Sequence, residues 1–530
     1  MNYDILIKNG CIIDGTNTPW YRTDIGIIDE KIAFLGKSVN NNGNTIIDAN
    51  DQFVCPGFID AHTHFDLGSF TFLNFQDHLL KRRLYQGITT QVTGCCGRSP
   101  APVTNDNKDG WLLDYGINNV DQIKWNSFRE YLNELRKQKL GTNYISYVGH
   151  GTIRYNVMGY SDRKATKDEL EKMKLILRKS LQEGAIGMST GLIYPPGVFA
   201  DTEELIELAS VLSEFNAIYA SHIRSEGTDW INSVNEVIEI AEKNNIPGIV
   251  HHLKVKHKRH KELVNKCLEM VYKARQRGVD ITFEQYPYEA SWTGLSAILP
   301  AWTFENGNTK TLERLKDKKT ASKIKEDICI DYNWKNSQEE LEGSKNILIV
   351  EAKNYEHFVG KTLFEISQIL NKSPLDAAFE ILIGSNMNSS AAYFGITEDC
   401  IETILKSPFT MIGADSGPSK IGGGTHPRNN GTFPRVLGRY VREKGIISFE
   451  EAIFKMTGFP ASKFNISNRG LIKQGMFADI VIFDPHKVID GATYAEPFKK
   501  PSGINYVIVN GCISIEGGKF TGNVNGKVLK

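Results

Sequence analysis

Apolar and polar residues alternate with a period of two at both ends of the chain. The runs DILI at 4–7, DIGI at 24–27, KIAFL at 31–35 and TIID at 45–48 read as strands, and Asn9-Gly10 and Asp14-Gly15 punctuate them as hairpin turns do. The same texture returns in ADIVIF at 478–483 and YVIV at 506–509. The simplest packing is one small β-sandwich domain built from both termini, residues 1–55 and 470–530. Between them, strands alternate with helical stretches, which argues for parallel βα units. Eight candidate strands cover 54–62, 89–93, 144–148, 185–188, 217–221, 247–250, 280–283 and 409–413. Helical spacing runs over 168–183, with Leu170, Met173, Leu177 and Leu181 on one face, and over 202–215. The expected fold class is α/β, a (β/α)8 TIM-like barrel over 56–469. The stretch 290–408 is too long for one crossover and reads as an insertion with helices beside the site.

In such a barrel the chemistry gathers at the C-terminal strand ends. The first candidate strand runs into DAHTHFD, which puts His62 and His64 on one face at i, i+2. Two buried imidazoles need partners, and a divalent cation such as zinc supplies one. The other strand ends supply more donors. GCCG follows the second, with Cys95 and Cys96 between Gly94 and Gly97. His150 ends the third, His222 and Arg224 the fifth, His251, His252 and Lys254 the sixth, Tyr286 and Tyr288 the seventh, and Asp415 the eighth. Random scatter would rarely place histidines at so many ends. His251 and His252 face opposite ways along a strand, so strand logic admits only one as a ligand and does not choose between them.

Composition narrows the partners. The chain has 530 residues, 41% apolar and 23% charged, and its formal net charge is zero. It therefore has no global field for nucleic acid or an anionic membrane, and no run of about 18 apolar residues suggests a membrane span. Eight scattered cysteines do not make a disulfide framework. No secretory leader pattern is visible at the start, and a reducing cytoplasm is the expected location. Composition leaves the oligomeric state open.

The stretches GHGTIRYNVMG, STGLIYPPGVFADTEEL, YASHIRSEG, HHLK, YPY, HPRNNGTFPRVLGRYVR and GMFADIVIFDP span nearly the whole chain. In them the sequence resembles the amidohydrolase superfamily and, within it, the N-acyl-D-amino-acid deacylase (D-aminoacylase) family. The resemblance implies zinc-dependent hydrolysis of the amide bond of small-molecule N-acyl-D-amino acids. It implies one tight zinc site at Cys96, His222 and His252, and a second, weaker one at His62 and His64 near Asp415. It thereby favours His252 over His251, and Cys96 over Cys95, which stands where the family often has Asn. In this pattern a cysteine takes the place of the carboxylated lysine that bridges metals in other amidohydrolases. Asp415 is the expected general base and acid, and Arg428, Lys254 and Tyr288 the expected grip on the substrate carboxylate, with Arg224 able to do the same. Asp66 and His150 are expected behind the ligands, Asp66 orienting a ligand histidine or a loop. A cyclic-amide hydrolase of the hydantoinase or dihydroorotase type would use the same barrel with a lysine after the fourth strand, where this chain has Met188-Ser189-Thr190. A non-catalytic scaffold derived from such enzymes would have lost ligands that are retained here.

Overall fold

The computed structural model describes residues 2–38, 42–66, 81–104, 123–256, 261–331, 342–419 and 424–529. Eight parallel strands form the central barrel: Phe58–Asp60, Ile88–Thr93, Asn143–Ser146 continuing as Val148–Gly149, Gly187–Gly191, Ile218–His222, Gly248–Val250, Ile281–Gln285 and Thr410–Ile412. Each pairs with its predecessor in chain order. The last returns to the first: Ala61 N donates to Ile412 O at 3.2 Å, Asp415 N donates to His62 O at 2.8 Å, and Thr63 bridges Ser416. Closure removes both sheet edges. Each barrel strand overlaps its expected counterpart.

The period of two decides what fills the barrel. Ile59, Val92, Ile145, Ile218, Ala220, Ile249 and Met411 point inward and pack together. Tyr144, Met188, Tyr219, Val250 and Phe283 point outward into the layer shared with the helices. Two of those helices, Lys167–Gln182 and Thr202–Ser213, begin where Thr166 and Asp201 cap the free backbone N–H groups. Both stop one or two residues short of the apolar pattern.

The termini meet in one nine-stranded sheet. Asn2–Ile12 pairs with Tyr21–Ile28 on one side, and on the other with Asn42–Asp48 and then Phe53–Pro56. Phe53–Pro56 in turn pairs with Ile480–Phe483, joining the two ends of the chain. The strands expected as a sandwich thus hydrogen-bond as one continuous sheet around an isoleucine-rich core. Between the seventh and eighth barrel strands, Ala290–Gly294, Ile347–Ala352 and Ser389–Phe394 form a separate antiparallel sheet. It packs with its own helices over a core of Leu295, Ile349, Leu363 and Leu382. No helix among the described residues is long and apolar enough to cross a membrane.

One carboxylate ties the closing seam of the barrel. Asp60 is fully buried at the end of the first strand. One of its oxygens accepts from Ala414 N at 2.8 Å and from His62 N at 3.3 Å, and the other pairs with the buried Arg83 guanidinium. Arg83 also donates to Ser416 at 2.6 Å. The pair sits where His62 and Asp415 leave their strands. Asp60→Ala strands the Arg83 charge and should destabilise the fold by about 3–5 kcal/mol. Adding Arg83→Met should recover a large part of that loss, because the unpaired charge goes with it. Urea denaturation midpoints of the two variants check this; equal losses in both would place the effect elsewhere.

Candidate metal centre

After Thr93 the second barrel strand enters a loop that only glycines can build. A Cβ on Gly94 (φ +70°) would lie 2.2 Å from the Tyr147 carbonyl oxygen, and one on Gly97 (φ +74°) 2.6 Å from Gly191 N. Asp66 accepts a hydrogen bond from Gly94 N at 3.2 Å, at the start of this loop. Cys96, between the glycines, is itself left-handed at φ +52°. Its sulfur lies 3.4 Å from His62 Nε2, 3.6 Å from His222 Nδ1 and 3.5 Å from His252 Nε2. Tetrahedral zinc with Zn–S of about 2.3 Å and Zn–N of about 2.0 Å holds sulfur and nitrogen ~3.5 Å apart. His62 Nε2 and His64 Nε2 are 3.4 Å apart, and both approach Asp415 Oδ1, at 3.5 and 3.2 Å.

The sixth strand ends at Val250, and His252 then takes φ +36°. That turn overturns the strand argument that only one of two adjacent histidines can face inward. Both rings enter the barrel, at different depths. His252 lines the cavity beside Cys96, while His251 lies below it against Glu284. Glu284 Oε1 meets Nδ1 of both His62 and His251, the latter at 3.0 Å. Glu226 Oε1 approaches His252 Nδ1 at 3.2 Å and His222 Nε2 at 3.8 Å, and the same carboxylate pairs with Lys254 and Lys256. Carboxylates behind ligand histidines fix ring orientation and raise ligand basicity.

Burial sets the protonation of the donors. It pushes the His62 imidazole down to about 3, with His251 adding to the effect. Burial likewise lowers His222 and His252, next to His252 and Lys254 respectively. All three rings are therefore neutral, as metal ligands must be. Burial raises the Cys96 thiol well above its ordinary value, and Asp415 adds to this. A thiolate forms there only with a cation to compensate it. One thiol and several neutral imidazoles at these spacings fit zinc.

Asp415 stands across the cluster at φ +47°. Burial alone would raise its carboxyl, but Arg428, His62 and His252 outweigh this and hold it well below the usual range. Arg428 Nη1 lies 2.9 Å from Asp415 Oδ2, and its Nη2 donates to Trp292 O at 3.3 Å. These groups form the floor of a cavity of about 530 Å³, walled by Tyr194, Trp292, Phe304 and Met387. Among the described residues, every non-glycine residue with positive φ is Asn or Asp except Cys96, His252 and Met387. All three line this cavity, so the backbone strain that shape alone does not explain is collected here.

Three expected residues lie elsewhere. The Tyr288 hydroxyl turns to Pro427 O at 3.4 Å and Asp490 Oδ2 at 3.5 Å, so it does not meet a carboxylate in the cavity. Tyr286 takes the place beside Arg428, whose guanidinium lies 4.6 Å from its ring centre. Arg224 is committed to Glu236 at 2.9 Å. His150 pairs with Glu204 at 2.8 Å, away from the ligands. The sequence reading missed Glu226 and Glu284. The available signals were an acid four residues after His222 and an acid at an inward position of the seventh strand, Ile281–Gln285.

The chain was compared with known proteins. A model of the amidohydrolase family matches residues 45–286. A D-aminoacylase of Alcaligenes xylosoxydans xylosoxydans is 33% identical, over 99% of this chain and 97% of that one. A D-aminoacylase structure concerned with a binuclear metal centre, with one-metal activation and second-metal attenuation, superposes with a TM-score of 0.82 at 32% identity, covering 100% of each chain. An N-acyl-D-glutamate deacylase from Bordetella bronchiseptica, complexed with zinc and a phosphonate mimic of the tetrahedral intermediate, gives a TM-score of 0.83 at 30% identity over 100% of each chain.

Cys96→Ala should leave the purified protein without its tightly held zinc; metal analysis showing wild-type content would remove Cys96 from the ligand set. Gly97→Ala forces Cys96 off its position and should lower zinc content in the same direction, although it deletes no ligand.

Proposed function

The chain belongs to the amidohydrolase family, in its N-acyl-D-amino-acid deacylase branch, and on that premise we propose that it hydrolyses the amide bond of N-acyl-D-amino acids, releasing a carboxylate and a free D-amino acid with zinc as cofactor. The observation that carries this reading is the donor cluster of Cys96, His62, His64, His222 and His252 beside an ionised Asp415–Arg428 pair on one cavity floor. Cys96, His222 and His252 would hold the tight zinc ion, and His62 and His64 a weaker one. Zinc bound there polarises a carbonyl and brings the pKa of water toward ~7.

The protein's own groups supply the remainder. Asp415, kept ionised by Arg428, accepts the proton of the attacking water and returns it to the amide nitrogen as the amine leaves. The substrate carboxylate meets Arg428, whose planar fork suits two-point binding. Lys254, buried against Glu226, adds positive charge 5.5 Å from the Tyr286 ring centre. Tyr194 closes the cavity over His222, with ring centres 4.9 Å apart, and its hydroxyl meets Thr293 at 2.9 Å. This keeps water from the far side of the ligands. A linear amide is favoured over a cyclic one because the fourth strand, Gly187–Gly191, carries no lysine, and Cys96 stands at the centre of the cluster instead. We take residues 56–469 as the catalytic body and the two terminal segments as its support. A cytoplasmic location accords with seven described cysteines that are all unpaired.

Paired N-acetyl-D- and N-acetyl-L-amino acids, assayed with zinc measured in the same samples, test the reading. Turnover confined to the D series is expected, and an inactive, fully zinc-loaded protein would defeat it. Asp415→Asn should retain zinc and lose on the order of 10²–10⁴ in kcat. Arg428→Ala should cost α-carboxylate substrates roughly 10- to 100-fold more in kcat/KM than the matching neutral amides.

A further inference from the structure

Below the cavity floor lies a second set of donors, of which the proposed hydrolysis uses only His62. Two adjacent pairs in the sequence are each split between two levels. Cys96 and His252 line the cavity, whereas Cys95 and His251 are buried beneath it and do not. Cys95, His251 and His62 offer ligand atoms that all lie within 4.8 Å of one another. Glu284, on the seventh strand, touches the Nδ1 atoms of both His251 and His62. Tyr147 completes the wall: the third strand breaks at this residue, and its ring meets that of His251 edge-on at 6.1 Å.

The polar atoms at this level are not satisfied by the protein. Among the described residues, His251 Nε2, Glu284 Oε2, Tyr147 Oη and Thr282 Oγ1 are buried and meet no hydrogen-bond partner. Cys95 Sγ makes a long contact, 3.8 Å, to the Val92 carbonyl and also meets the Thr63 backbone. Cys95 alone could be a small apolar filler, since buried cysteines often are. A buried histidine with a bare nitrogen, next to a carboxylate oxygen and a phenol that are also bare, is not apolar filling, because unpaired buried polar groups are costly.

We propose that Cys95, His251 and His62 form a second, deeper site for a soft or borderline cation such as Zn2+ or Cd2+, with Glu284 balancing the charge and orienting the His251 ring. One thiolate and two imidazoles suit such ions and not Mg2+ or Ca2+. Binding replaces the Cys95 S–H bond with a sulfur–metal bond and, because His62 Nε2 faces the upper site, the His62 Nδ1–H bond with a nitrogen–metal bond; both protons leave to solvent. His62 belongs to both levels, since its Nε2 is 3.4 Å from Cys96 Sγ. Occupancy of the lower site is therefore coupled to the upper one through a single ring.

Cadmium loading of the full-length protein tests this. Metal analysis after dialysis should find one equivalent less in Cys95→Ala and in His251→Gln than in wild type, and the cadmium–thiolate absorption of Cys95→Ala should fall by about half. Wild-type metal content with undiminished absorption in both variants overturns the proposal. If the variants fold poorly, 113Cd NMR of the unmodified protein decides: a third bound resonance, beyond the two that a bridging Cys96 can give the upper pair, supports the deep site, and no more than two overturn it. Cys96→Ala, run alongside, separates the two readings. Loss of its own ion with the Cys95 signal retained shows that the levels are distinct, whereas loss of no metal in Cys96→Ala counts against the hydrolase reading and leaves the deep site to stand on its own data.

Discussion

Three buried carboxylates hold the centre of this molecule together. Glu284 contacts His62 and His251, Glu226 contacts His252 and approaches His222, and Asp415 contacts His64 and His62. Five imidazoles and two thiols in a dry barrel mouth have no reason to stay close on their own. Each ring needs a hydrogen-bond partner, and burial denies it water. The carboxylates supply those partners, and two of them are held in turn by cations: Glu226 by Lys254 and Lys256, Asp415 by Arg428. Among the described residues, the side-chain partners of Glu284 are the ring nitrogens of His62 and His251. Burial opposes its ionisation, and His251 and His62 outweigh that opposition. The donor cluster is thus arranged before any ion arrives, as a metal site on rigid elements requires.

Backbone strain is the counterpart of that arrangement. Cys96, His252 and Asp415 adopt positive φ, and the loop around Cys96 tolerates no Cβ at Gly94 or Gly97. Such conformations persist only where the surroundings over-determine them. Here the surroundings are the closed barrel and its seam. The Asp60 carboxylate bonds the backbone at His62 and Ala414 while pairing with Arg83, so the two strands that deliver His62 and Asp415 are fixed to each other. Stability of the fold and geometry of the site rest on the same few hydrogen bonds.

The sequence made the scaffold legible because period and punctuation are local signals. All eight barrel strands, the two helices with clean apolar spacing and the pairing of the termini follow from them. Residue types at strand ends pointed to Cys96, His222, His252, His62, His64 and Asp415, and the structure brings these together. What failed depended on single dihedrals. Strand alternation separated His251 from His252, but the strand ends one residue earlier and a left-handed turn brings both rings inside. Tyr286 and Tyr288 share a face by the same logic, yet Tyr288 is drawn away toward Pro427 and Asp490. Glu226 and Glu284 were passed over because a lone acid carries no period, and its meaning comes largely from neighbours distant in the chain.

The cavity divides its work between two parts of the chain. Its floor comes from barrel strand ends, where a displacement of one side chain breaks the ligand set. Much of its wall comes from the segment between the seventh and eighth strands, which has its own sheet and its own apolar core. Trp292, Phe304 and Met387 in that wall are apolar or aromatic, and the Arg428 guanidinium lies 5.8 Å from the Trp292 ring centre. Substitution there reshapes the space offered to a substrate side chain or acyl group without moving Cys96 or Asp415. A fold built this way can vary what it admits while the chemistry stays fixed, because the wall folds around Leu295 and Ile349 and the floor around Ile145 and Ile249. Trp292 is one place where the two parts touch: its carbonyl accepts from the Arg428 guanidinium that also holds Asp415, so the wall reaches the reacting groups through this hydrogen bond.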